Sequence, residues 1–424
     1  MATKRPAPPN LQEIALQAGK VFATTPVSEE ALFAGRMGEI RRVVDAINQR
    51  GRHALIYGER GVGKTSLANI IATRLRNPSR EVVAPRINCE SADTFSSLWK
   101  KVFSEVDLIK KRRQGIGYQL TVFEETIKAS EVVPDNVTPD HVRRLLTLLG
   151  DEKLVVVVFD EFDRITNVDV RRAMADTIKA LSDHAVDATI VIVGVGDSVD
   201  DLIAEHRSIE RALDQVQMPR MTRDEIYDLL RRGAARLGVN ITQQAQLRIS
   251  LLAQGLPPFA HLLALNSVRT ALDDGTTEVL VPHVHSAIKK AVASSARSLL
   301  SDLQTATTSP RKGKHLYAEV LLACALAKTD PFGCFYAADV REPLSKIMKK
   351  PYAIPSFAKH LNDFCQPEKG PVLFKHGVKH KFRYRFIDPH LQPLVIMKGI
   401  VDKLFTEENL DDMERAAMKA APAL

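Results

Sequence analysis

The chain has 424 residues, enough for two or three domains and a sizeable core. Hydrophobic residues make up 45% and charged residues 26%, a globular balance that excludes a disordered or fibrous chain. The net charge of +8 permits an anionic partner without requiring one, and four scattered cysteines (Cys89, Cys324, Cys334, Cys365) with no CxxC pair exclude a zinc ribbon, a dithiol redox site and a dense disulfide framework.

No apolar run reaches the roughly 18 residues a membrane helix needs. The start, MATKRPAPPN, is basic and Pro-rich with no apolar region behind it, so it reads as a loose tail. The expectation is a cytoplasmic protein with reduced thiols and no membrane partner. Residues 1–25 read as a flexible arm holding one short amphipathic stretch, Leu11–Val21.

From His53 the pattern becomes strand, loop, helix. His53–Tyr57 reads as a strand, Thr65–Leu75 as a helix, Val82–Ile87 as a second strand and Asp93–Val106 as a helix around Trp99. A basic run, Lys110–Arg113, followed by Gly115 and Gly117, breaks the pattern. Thr138-Pro139-Asp140 opens a helix that runs to Gly150. Leu154–Phe159 and Ala188–Val193 are β-branched runs suited to strands buried on both faces of a parallel sheet, with a helix at Arg171–Ser182 between them. A short strand fits Leu213–Met218. The alternation predicts an α/β core with a mostly parallel sheet over residues 26–221.

After Pro219 the strands stop. A capping-box pattern at Thr222–Glu225 opens a helix to Leu237, and helices follow at Gln243–Gln254, Pro258–Asp273 and Pro282–Ala296, an all-helical lid over 222–304. Thr305–Lys314 reads as a linker. Helices at His315–Lys328, Asp339–Lys349 and Ser356–Asp363, then strands at Val372–Lys375 and Lys381–Ile387, follow the order of a winged helix over 305–402. Residues 403–424 form an acidic helical tail.

The segment Gly58-Glu59-Arg60-Gly61-Val62-Gly63-Lys64-Thr65-Ser66 carries the pattern GxxxxGK[ST] between a strand and a helix, which is the context of an ATP-binding P-loop. Gly61 and Gly63 let backbone N–H groups turn inward around phosphate oxygens, and the helix from Lys64 points its positive end at them. Lys64 reaches the β- and γ-phosphates; Thr65 ligates Mg²⁺. At the end of a buried strand, Asp160 supplies a second Mg²⁺ ligand and Glu161 a base for the attacking water. The chemistry implied is phosphoryl transfer from ATP to water.

Three further segments carry a family resemblance. Phe33-Ala34-Gly35-Arg36-Met37-Gly38-Glu39 resembles the hhGRExE box that precedes the P-loop in STAND-class and origin-recognition-like ATPases, with Met37 in place of the usual acid. Asp160-Glu161-Phe162-Asp163 resembles their DExD form of the Walker B motif, and Gly255-Leu256-Pro257 their GxP motif. Over about residues 28–400 the chain thus resembles an AAA+ P-loop ATPase of the STAND-like, initiator-like branch with a C-terminal winged helix. The resemblance implies that Arg36 and Pro257 join the ATP site, that Asp197 or Ser198 acts as a sensor, and that Arg211, with Arg207 second, is an arginine finger in an ATP-dependent homo-oligomer. The same residues read equally well as a Gly-Asp-Ser turn and an exposed arginine. No arginine occupies the usual lid position in Gly255-Leu256-Pro257-Pro258-Phe259, which favours a slow switch over a fast motor.

The charge is unevenly placed: residues 301–400 hold 16 Lys/Arg against 8 Asp/Glu, an excess equal to that of the whole chain. In the third helix Phe357, Leu361 and Phe364 form a core stripe, leaving Lys359 and Asn362 outward. In a hairpin about Gly377-Val378, Phe382, Tyr384 and Phe386 alternate with Lys381, Arg383 and Arg385, with Lys379 near the turn. These outward residues are the expected DNA contacts. A basic face is also what a merely solvated surface looks like, and the alternative is a signal-transducing STAND-like switch, for example in phage defence, whose C-terminal unit binds a protein partner or effector.

Overall fold

A computed structural model of the chain describes residues 10–25, 35–75, 80–114, 121–196, 202, 209–308, 316–378 and 381–419. It divides into two compact units: residues 36–59 with 63–218, and the remainder, comprising residues up to 35, 60–62 and 219 onward.

In chain order, α1 (Leu11–Val21) belongs to the second of these units. The α/β unit then runs α2 (Met37–Ile47), β1 (His53–Gly58), α3 (Lys64–Arg74), β2 (Glu81–Val83), β3 (Arg86–Asn88), α4 (Phe95–Ser104), β4 (Asp107–Gln114), β5 (Thr121–Lys128), α5 (Pro139–Glu152), β6 (Lys153–Asp160), α6 (Val168–Asp183), β7 (Ala188–Val195) and β8 (Leu213–Gln217). Six strands form one parallel sheet, ordered β2-β6-β7-β1-β8 with β3 also on β6. The expected α/β core with a parallel sheet is present. β7 lies between the strand that feeds the P-loop and the strand that ends in Asp160.

Val155 to Phe159 and Ile190 to Val193 are buried on both faces, as their β-branched runs require. The core on one side gathers around Trp99, which is fully buried and meets Phe159 edge-on at 5.2 Å and Phe103 at 5.5 Å. Two expectations need correction here. The single strand at Val82–Ile87 is two, because Pro85 has no N–H to donate to a ladder. The basic run Lys110–Arg113 does not end a regular element; it lies within β4, which pairs antiparallel with β5 and sets Lys110 opposite Glu125.

The other unit continues with α7 (Arg223–Leu237), β9 (Asn240–Ile241), α8 (Gln243–Ala253), α9 (Pro257–Asp273), β10 (Glu278–Val279), α10 (Val281–Ala293), α11 (Arg297–Thr307), α12 (Tyr317–Ala325), β11 (Phe335–Tyr336), α13 (Ala337–Met348), α14 (Ile354–Asp363), β12 (Leu373–His376), β13 (Arg383–Phe386), α15 (Leu391–Val401) and α16 (Glu407–Lys419). The capping box expected at Thr222 and Glu225 is formed and starts α7. The helix expected over Pro282–Ala296 stops at Ala293, and α11 extends into the segment read as linker, ending at Thr307. Residues 309–315 lie outside the described residues. The segment read as a flexible arm carries α1, which buries Ala18, Val21 and the whole of Phe22. Gly233 of α7 accommodates that ring, since a Cβ there would sit 2.3 Å from Phe22.

From α12 onward the expected order of three helices (α12, α13, α14) and a ribbon appears, with the short strand β11 added to give a three-stranded sheet β11-β13-β12. The acidic tail is α16. Its Glu407, Asp411 and Glu414, spaced i, i+4, i+7, converge on the buried Arg248 of α8 at 3.3, 2.6 and 2.5 Å.

Candidate nucleotide site

The P-loop connects β1 to α3. Gly58, Gly61 and Gly63 have φ of 147°, 84° and 97°, a backbone that glycine adopts without strain. At Gly58 the need is also steric, since a Cβ would lie 2.5 Å from the Met218 carbonyl oxygen. Gly63 is the N-cap of α3, so the N–H groups of the first turn are directed toward the loop. Glu59, Val62 and Lys64 are buried, while Arg60 is exposed. Lys64 Nζ donates to the carbonyl oxygens of Gly58 at 3.0 Å and Glu59 at 2.7 Å, which holds the ammonium inside the loop. Thr65 and Ser66 follow in the first turn of α3, both partly buried.

Strand β6 delivers Asp160, which is 2% exposed. Its Oδ1 accepts from Thr65 Oγ1 at 3.3 Å and from the Glu161 N–H at 2.9 Å. The residues expected to share Mg²⁺ are therefore side by side, and they offer hard oxygen donors of the kind Mg²⁺ takes beside phosphate oxygens. Glu161 sits in the left-handed region (φ 54°), which turns its carboxylate out of the strand line. It pairs with Arg164 at 3.0 Å, and both side chains are about half exposed, so the pair holds the carboxylate only weakly. Asp163 Oδ1 accepts from the Val195 N–H at 2.8 Å, tying the end of β7 to the turn after β6.

One member of this cluster was missed by the sequence reading. Arg86 on β3 donates from Nη2 to Asp160 Oδ2 at 2.6 Å and also bonds Asn69 of α3. The signal was an arginine inside an otherwise apolar stretch, Val82-Val83-Ala84-Pro85-Arg86-Ile87. Cys89 is fully buried nearby, and burial first, then Asp93 and Asp160, push its thiol up to about 12, away from the thiolate form.

The remaining expected residues are more scattered. Arg36 is the left-handed N-cap of α2, 3% exposed, and lies 3.5 Å from Glu39. Phe33, Ala34, Asp197, Ser198 and Arg207 fall outside the described residues. Arg211 is exposed, just before β8. Pro257 is the buried first residue of α9, and Gly255 ahead of it has φ 74° with its Cβ position 2.7 Å from the Met221 carbonyl oxygen, so the motif glycine is required by backbone approach. Arg220 was also missed; it is buried and donates to Gln392 of α15 at 2.6 Å.

On the C-terminal sheet and helices, Lys359 and Asn362 are exposed on α14, while Phe357, Leu361 and Phe364 are fully buried. Asn362 accepts from Lys375 Nζ at 2.8 Å. Lys381 is exposed, Lys379 lies outside the described residues, and Arg383 is paired with Asp330. Tyr384 and Phe386 face inward as expected; Phe382 is only partly buried, with Lys375 Nζ 3.8 Å above its ring.

Residues 32–193, which contain the P-loop and the Asp160-Glu161 strand end, match the family described as AAA ATPase domain. This part of the chain is therefore an AAA+ ATPase domain. No curated protein matches the chain. Among solved structures it is similar to Cdc6p from Pyrobaculum aerophilum, at 15% identity and TM-score 0.45, covering 91% of this chain and 98% of that one. It is similar to the Aeropyrum pernix ORC2 protein in ADPNP-ADP complexes, at 16% and 0.45 over 95% and 98%. The Walker-type ATPase paby2304 of Pyrococcus abyssi is similar at 17% and 0.47, over 88% and 99%. No described helix is long and apolar enough to cross a membrane.

Proposed function

We propose that the chain is an ATP-hydrolysing switch that acts on DNA through its C-terminal unit, working as a winged helix. The observation that carries the ATPase reading is the placement of the Thr65 hydroxyl against the Asp160 carboxylate, one residue from Glu161 and beside Lys64 in its loop. Bound there, Mg²⁺ would be held by Thr65 and Asp160 and would neutralise charge on the phosphates. Lys64 leaves its two carbonyl partners for phosphate oxygens, exchanging neutral acceptors for charged ones. Arg86 balances the Asp160 charge and holds that carboxylate's orientation. Glu161 leaves Arg164 and takes a proton from water at its carboxylate oxygen. Exposed Arg211 is the residue we assign to reach the γ-phosphate of a neighbouring copy.

The DNA reading rests on charge: the excess of Lys and Arg in residues 301–400 and the exposure of Lys359, Asn362 and Lys381. Duplex binding should weaken steeply between about 50 and 200 mM salt. Absence of duplex binding at about 50 mM salt with ATP present would remove DNA from the account and leave the ATPase reading standing. The protein-binding, signal-transducing alternative draws on the box at Phe33–Glu39, the Gly255-Leu256-Pro257 motif and the lack of an arginine in Gly255-Leu256-Pro257-Pro258-Phe259. It calls for ADP retained through purification and very slow turnover.

A further inference from the structure

Strand register sorts the C-terminal three-stranded sheet into two unlike faces. Phe335, Tyr384, Phe386 and Leu373 point inward and are buried. The other face has Tyr336, Arg383 and His376 aligned in one row, and Arg385 beside Phe374 in the next. Tyr336 is 48% and Phe374 46% exposed, so neither ring serves the core. Phe374 and His376 stack with planes 17° apart and centroids 6.0 Å apart. The Arg383 guanidinium lies 5.6 Å from the Tyr336 ring centre, and that of Arg385 lies 5.4 Å from the Phe374 ring centre. Arg383 is also paired with Asp330. From Pro371 to Ile387 the chain carries five Lys/Arg and no Asp or Glu.

Exposed rings have no use for a duplex backbone, where the base faces are hidden by stacking. They suit unstacked bases, which pack on aromatic rings and guanidinium planes while nearby cations take the phosphates. The two rows are about 7 Å apart along β13, room for one base in each. We propose that this outer sheet face binds single-stranded nucleic acid, with bases stacked on Tyr336 and Phe374 and the backbone held by Arg385 and Arg383. The proposal rests on the reading that the C-terminal unit acts on nucleic acid, but it assigns a different surface from the exposed side of α14.

The test is fluorescence anisotropy of the full chain with labelled dT12, rU12 and a 20-base-pair duplex at low salt. Wild type should bind a single strand, and Phe374→Leu, which keeps apolar bulk but removes the ring, should weaken that binding about tenfold. Phe374→Tyr should restore it, and Tyr336→Leu should act in the same direction. The duplex should be insensitive to these changes and weaken with Lys359→Ala. A preference for dT12 over rU12, or the reverse, supports the proposal either way. Single-strand affinity unchanged in Phe374→Leu, or duplex binding with no single-strand binding, overturns the stacking face while the duplex reading stands. Binding of neither overturns both.

Discussion

At the scale of single residues, the site is defined by one buried carboxylate and the groups around it. Asp160 meets Thr65, Arg86 and the Glu161 N–H, while Glu161 itself stands half exposed. The division of labour predicts that Glu161→Gln keeps ATP binding and lowers turnover at least about 100-fold, measured by single-turnover hydrolysis; unchanged turnover would remove Glu161 from its role. Arg86→Met leaves a buried charge without its cation and should destabilise the nucleotide-free protein by about 2 kcal/mol. Mg²⁺ and ATP would resupply positive charge to Asp160, so the Tm deficit should shrink when both are added; a deficit that persists contradicts the assignment. A third prediction concerns pH. Burial, aided by Arg52, lowers the His53 pKa from 6.5 to about 3, and its Nδ1 accepts from the Ile190 N–H at 2.9 Å. The folded state holds this imidazole neutral while the unfolded state protonates it below about 6.5. Its contribution is present above that pH and is lost as pH falls toward 3. By pH 5 the loss should reach about 2 kcal/mol. Urea midpoints at pH 7.5 and 5.0 for wild type and His53→Gln check this, the variant showing the smaller drop.

At the scale of elements, chain patterning was readable wherever one local rule decided the outcome. The apolar run into Asp160, the glycines before Lys64 and the capping box at Thr222 each name their own structure. What was not readable came from pairings between distant segments. The hairpin β4–β5 puts Lys110 opposite Glu125, and no local periodicity announces a partner fifteen residues away. Arg86 looks like an intrusion into a strand until β3 is laid on β6 and brings it to Asp160. Likewise α16 reads as a detached acidic tail, yet three of its carboxylates share one arginine of α8. Arg248→Met should therefore release α16, which would become the first segment cut in limited proteolysis, with the nucleotide chemistry unchanged. Continued protection of α16 would show that its apolar contacts alone suffice.

At the scale of the whole molecule, a modest net charge of +8 resolves into a nearly neutral ATPase body and a basic C-terminal stretch. That stretch offers two chemically distinct surfaces: the polar outer side of α14, and a sheet face of exposed rings and arginines. The Thr65, Lys64 and Asp160 side chains of the nucleotide site belong to the α/β unit, at the start of α3 and the end of β6. The most direct measurement of the central claim is Mg²⁺-dependent ATP hydrolysis by the purified full chain, beside Lys64→Ala. Wild type should release phosphate only with Mg²⁺ present, and in Lys64→Ala both phosphate release and ATP binding should fall to background. Hydrolysis that survives in Lys64→Ala, or a wild type that binds no ATP, would contradict the claim.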